Sequence, residues 1–168
     1  MRRIFLAFML AALAPIAAQA QKTNLGGTWR LNVAKSSMGQ EHPFSNYEFT
    51  KKIEQTGDSI SITETGIHNS VVNVPLPDSN TAMQVTADGK EHEVHMSTGD
   101  PRQPESVIHV TATWQAGTLE LVQIVSGLAN MTKHRLFLSD DGEQLIDLVE
   151  GHNIYGDSEQ RLVFDKLP

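Results

Sequence analysis

Polar and apolar positions alternate in short runs over residues 28 to 166, and no run after residue 20 carries the i, i+3, i+4, i+7 apolar stripe of an amphipathic helix. Trp29, Leu31 and Val33 alternate with Thr28, Arg30 and Asn32, which predicts a half-buried strand. Residues 34 to 43 read as a loop or one short helical turn. Alternation resumes over Asn46 to Gln55, with Tyr47, Phe49 and Ile53 on one face. It continues beyond the turn Thr56-Gly57-Asp58-Ser59 with Ile60 and Ile62, so the two runs form a hairpin. Between Gly66 and Asn80, Pro75 and Pro77 exclude a central strand and leave an edge piece at Ser70 to Val74.

The second half repeats the pattern. Asn80 to Ala87 and Lys90 to Met96 flank Asp88-Gly89, a dipeptide that predicts a tight hairpin. Thr98 to Glu105, with Pro101 and Pro104, is a loop. Ser106 to Trp114 and Thr118 to Ser126 pair across Gln115-Ala116-Gly117, and Met131 to Ser139 and Glu143 to Glu150 pair across Asp140-Asp141-Gly142. A polar loop, Gly151 to Ser158, leads to a last strand at Glu159 to Lys166. Successive hairpins leave few long crossovers, so the expected fold is all-β: a mostly antiparallel up-and-down barrel of about eight to ten strands.

The first twenty residues do not belong to that pattern. Met1-Arg2-Arg3, the apolar run Ile4 to Leu13 and the close at Ala18-Gln19-Ala20 have the three parts of a cleavable secretory signal. The apolar stretch is shorter than the ~20 residues of a membrane span and contains Pro15. The expectation is a signal peptide at 1–20 and one domain at 21–168, free in the periplasm or the medium, with no cysteine to take a lipid anchor. With 13 Lys plus Arg against 20 Asp plus Glu, the chain is a poor partner for nucleic acid or an anionic membrane. The absence of cysteine also removes disulfides, thiolate metal sites and thiol nucleophiles.

The stretch Leu25-Gly26-Gly27-Thr28-Trp29-Arg30-Leu31-Asn32-Val33-Ala34-Lys35-Ser36 resembles the opening of a family of exported bacterial lipocalin-like proteins of unknown function. Thr86 to Lys90, Ser139 to Leu145 and Glu159 to Lys166 resemble later parts of the same family, in order. Gly27-Thr28-Trp29 is similar to the G-x-W motif that begins the first lipocalin strand. The resemblance implies that the Trp29 indole plugs the closed end of a barrel and that a basic side chain near the C-terminus packs across it, with Arg161 the candidate. The alternative is that Trp29 is an ordinary large core residue. The C-terminal helix and disulfide of typical lipocalins have no counterpart in this sequence. Gly-Thr-Trp-Arg is also shared with haem-binding nitrobindin-type barrels, but the resemblance stops at Arg30.

No nucleophile elbow, His-Glu-x-x-His pair or phosphate-cradling glycine loop is present, so no catalytic residue, metal or cofactor is assigned. By strand parity His92 shares a face with Val94 and Met96, and His134 with Leu136 and Leu138, while His109 faces solvent. Asp147, on the parity of Leu145 and Val149, is a third group that such inward histidines could meet. Ala112, Met83, Met96, Val85, Val110, Leu121 and Leu136 are expected inward, and so few aromatic residues favour a residual void. The expected function is binding of a small apolar or amphipathic ligand by Tyr47, Met83, His92, Met96, Val110, Leu121 and His134. The alternative is a filled barrel acting as a structural or interaction protein of the cell envelope.

Overall fold

The computed structural model describes residues 22–37, 48–67, 79–96, 106–125, 130–153 and 156–168. The expected signal peptide, the edge piece at Ser70 to Val74 and the loop at Thr98 to Glu105 lie outside the described residues. Ten strands follow one another: β1 (Gly27–Leu31), β2 (Glu48–Thr56), β3 (Ser59–Ile67), β4 (Ser79–Thr86) and β5 (Glu91–Met96), then β6 (Ser106–Gln115), β7 (Thr118–Val125), β8 (Met131–Leu138), β9 (Gln144–Asn153) and β10 (Gly156–Lys166). Among the described residues the one helical element is a 3₁₀ turn at Val33–Lys35, which Asn32 caps by accepting the Lys35 N–H at 3.1 Å.

All pairings are antiparallel, in the order β4-β3-β2-β1-β10-β9-β8-β7-β6-β5. The ring therefore closes through β1 and β10, with Trp29 opposite Lys166 and Leu31 opposite Phe164. Ala116 and Gly117 both hold positive φ, 47° and 84°, as the two-residue turn between β6 and β7 requires for its twist to match the strands.

Two expectations about strand pairing are corrected. Asp88-Gly89 does connect two strands, but β4 and β5 lie side by side without a hydrogen-bonded ladder. Each is tied away from the other: the Ala87 N–H donates to Asp58 O at 2.8 Å, and the Gly89 N–H donates to Ala112 O at 2.9 Å. Asp88 meanwhile accepts from the Lys90 N–H and contacts His92, which spends its side chain on the turn itself. The barrel is thus nearly closed, with one seam. The expected polar loop from Gly151 to Ser158 is instead the continuation of a hairpin, with His152 opposite Asp157 and Gly151 opposite Ser158. Cross-strand pairing over the whole length of β9 and β10 overrides the weak strand propensity of that glycine-containing polar stretch.

Parity organises the interior. Ala112, Met83, Val85, Val110, Leu121 and Leu136 are all buried, as the alternation predicts. The chain turns between β2 and β3, β6 and β7, and β8 and β9 gather at one end of the meander, above an apolar layer that includes Leu25, Ile53, Ile60, Val85, Trp114 and Leu119. Trp29 is fully buried in this layer, and its Nε1–H donates to Leu25 O at 3.1 Å. Gly27 lets the indole lie against the strand. Its φ is +150°, and a Cβ there would stand 3.3 Å from the indole Nε1.

The cation at the indole is Lys166, whose Nζ lies 5.3 Å from the ring centroid, not Arg161. Register is the reason: Lys166 is the residue opposite Trp29, whereas Arg161 lies five positions earlier on β10, opposite Leu148. Arg161 is exposed, bridges to Ser37 and donates to Lys35 O at 3.3 Å.

Candidate functional site

The inward parity of β2 runs Phe49, Lys51, Ile53, and places a lysine where an apolar residue is expected. Lys51 is 2% exposed. Its ammonium reaches past β1 and β10 to β9, where it donates to Asp147 Oδ2 at 2.7 Å. Asp147 is itself fully buried, on the inward parity of Leu145. A second carboxylate, Glu64 of β3, stands 3.2 Å from the same ammonium, and the Phe164 ring centroid lies 5.2 Å from it. His134 of β8, diagonal to Asp147 across the β8–β9 ladder, brings its Nδ1 to 3.2 Å from both carboxylate oxygens. With Asp147 ionised, the tautomer that satisfies this contact carries its proton on Nδ1.

Burial alone would depress the Lys51 ammonium, but the charges of Asp147 and then Glu64, with their hydrogen bonds, outweigh it and hold the group above the ordinary lysine range. Burial alone would likewise lift the Asp147 carboxyl, yet Lys51 and His134 hold it well below the ordinary carboxylate range. The lowered carboxyl stabilises the fold fully above its unfolded value of about 3.9, and that contribution is lost as pH falls through the folded value. The raised ammonium stabilises the fold fully below about 10.4, and that contribution is lost as pH rises through its folded value. The pair's contribution is therefore flat over roughly pH 4 to 10 and falls only outside it. In urea unfolding followed against pH, the wild type should lose stability below about pH 4 more steeply than Asp147→Asn, which has no proton to take up there. Identical acid limbs would remove Asp147 from the titration.

The cluster borders a cavity of about 70 Å³, walled by Ile62, Met83, Leu121 and Leu136 and by the polar groups of Lys51, Glu64, Thr81, Gln123 and His134. That is several times the ~15 Å³ that a cavity needs to admit one water and about half the ~150 Å³ of a cavity known to admit benzene. Polar residues on five strands thus converge on one small interior space, one or two side-chain layers from the strand ends opposite the tight turns.

Of the side chains expected to hold a ligand, Met83, Leu121 and His134 line this cavity. Val110 is fully buried in the apolar core instead. His92 does not meet His134, because it lies at the start of β5 with a side chain 37% exposed and its Nε2 2.8 Å from Asp88 Oδ1. Tyr47 and the Met96 side chain lie outside the described residues. His109 pairs with Glu91 at 3.2 Å. Lys51, Glu64, Thr81 and Gln123 are the interior polar groups that parity alone did not single out. The signal for Lys51 was present in the alternation, since it falls between Phe49 and Ile53 on the face assigned inward. Among the described residues no group of three or more His, Asp or Glu side chains could hold a metal ion, and the third partner of the His134–Asp147 contact is an ammonium.

Solved structures share this barrel fold. One is zebrafish ileal bile acid-binding protein in complex with cholic acid, with a TM-score of 0.53 at 15% identity over 84% of this chain and 98% of that one. The fold is that of the fatty-acid-binding-protein-like barrels. Fatty-acid-binding protein 1 of Echinococcus granulosus superposes with a TM-score of 0.54 at 11% identity, covering 86% of this chain and 98% of its own. The fatty-acid-binding protein from Manduca sexta gives 0.51 at 18% identity, over 84% and 98% of the two chains. No protein-family model matches the chain, and no curated protein sequence matches it. At these identities the likeness concerns the barrel fold alone.

Proposed function

We propose that this chain is an exported carrier that binds one small amphipathic molecule inside the barrel, its polar end at the Lys51–Glu64–His134 cluster. The observation that carries this reading is the polar-lined interior cavity. Buried polar groups are costly unless satisfied, and here a set from five strands borders shared open space. The bile-acid- and fatty-acid-binding neighbours support it by analogy of fold. The signal-like segment at Met1 to Ala20 supports export to the periplasm or medium, with Gln21 as the first mature residue.

A second reading, a filled barrel serving as a structural or interaction protein of the envelope, is favoured by the size of the cavity, which is too small for an acyl chain without expansion. One experiment separates them. Protein purified from the exported fraction is weighed intact, extracted, and its extract analysed by mass spectrometry for copurifying amphiphiles. It is then titrated with a set of medium-chain amphiphiles of different head groups while Trp29 and Trp114 fluorescence is followed. Saturable binding at micromolar concentrations supports the carrier. An empty extract with no titration below millimolar leaves the filled barrel, and a mass that still includes residues 1–20 removes cleavage from the proposal.

A further inference from the structure

We infer, resting on the carrier reading above, that the cavity accepts the hydrogen-bond-donating head of an amphiphile, a primary ammonium ahead of an alcohol, and rejects a carboxylate. Lys51 is the one lysine or arginine at the cavity among the described residues, and it is already committed. Its ammonium contacts Asp147 at 2.7 Å and Glu64 at 3.2 Å and stands over the Phe164 ring, and the residue is 2% exposed, so its charge is already matched by two carboxylates before a ligand anion arrives. With the His134 ring neutral, Lys51, Asp147 and Glu64 together leave one negative charge in excess. That excess is accessible at Glu64, whose side chain is 33% exposed, while Asp147 is wholly covered.

The remaining polar groups point the same way. In the neutral ring, the tautomer that gives Nδ1–H to Asp147 leaves Nε2 of His134 as an acceptor. Thr81 and Gln123 add oxygen acceptors to the same wall. An ammonium is close to a water molecule in size and suits a space of about 70 Å³, and its three N–H groups match a wall rich in acceptors. With His134 neutral, a carboxylate there would meet Glu64 while the one ammonium is already matched by two carboxylates, a built-in discrimination against the anion.

The full purified chain is titrated calorimetrically with decylamine, decanol and decanoate at pH 7 and fixed ionic strength, each below its micelle concentration. Decylamine should bind at least about tenfold more tightly than decanoate, with decanol between them. Glu64→Gln should narrow the amine-to-carboxylate gap by at least about threefold. Glu54→Gln, which removes an equal charge from an exposed residue paired with Lys52, should leave the gap unchanged. Decanoate binding as tightly as decylamine overturns the inference and leaves the carrier reading standing, as does an equal effect of the two glutamine variants. Binding of none of the three overturns both. If Glu64→Gln fails to fold, as judged by circular dichroism, the order of the three ligands on the wild type decides alone.

Discussion

Replacing Lys51 by methionine is expected to destabilise the barrel by about 3 to 5 kcal/mol, because among the described residues it strands the fully buried Asp147 carboxylate with His134 as its one remaining polar partner. Asp147→Leu should cost a similar amount by leaving the Lys51 ammonium with Glu64 as its carboxylate among the described residues. The double variant is the decisive protein. An apolar pair of similar volume has neither desolvation cost nor unmatched charge, so the double variant should unfold within about 1 kcal/mol of the wild type and be more stable than either single variant. Urea unfolding of the four proteins at pH 7 measures this directly. Additive losses would mean that the two groups do not act as a pair. A double variant that is stable also shows what the pair is for: it adds little to net stability and instead keeps polar groups in place beside the cavity.

Trp29→Ala should cost about 3 to 5 kcal/mol, the range for truncating a large, fully buried aromatic side chain. The loss includes the hydrogen bond from the indole to Leu25 O, whose removal leaves a buried carbonyl without its donor. Lys166→Ala should cost about 0.5 to 1 kcal/mol, since the ammonium is exposed and its contact with the ring is correspondingly weak. In double-mutant cycles, Trp29 should couple to Lys166 and not to Arg161. Coupling to Arg161 would contradict the β1–β10 register.

The strands were legible in the sequence because each is half-buried, so that alternation carries a strong signal. Ser106 to Gln115 and Thr118 to Val125 could be placed from Val110, Ala112 and Leu121 almost to the residue. What alternation lacks is partner choice. Asp88-Gly89 looked like a hairpin because local turn chemistry is visible in a dipeptide, whereas the pull of Asp58 O and Ala112 O on either side of it comes from distant strands. Arg161 was assigned to the indole by analogy with C-terminal basic residues, and a five-residue offset along β10 gave that place to Lys166. At the site, His134 and Asp147 could be named from parity, but Lys51 could not be joined to them. An inward lysine becomes plausible only once a carboxylate three strands away is known to receive it.

The ring closes between strands that stand almost at opposite ends of the described chain, Trp29 lying opposite Lys166. Each neighbouring hairpin can form as soon as its two strands exist, but the closing ladder cannot, because β10 follows every other strand in synthesis. The burial of Trp29 and Phe164 therefore waits for the residues around position 165 to emerge. A growing chain of this kind holds its first strand unpartnered on one side until β10 has been made, so that edge stays open while all the intervening hairpins form.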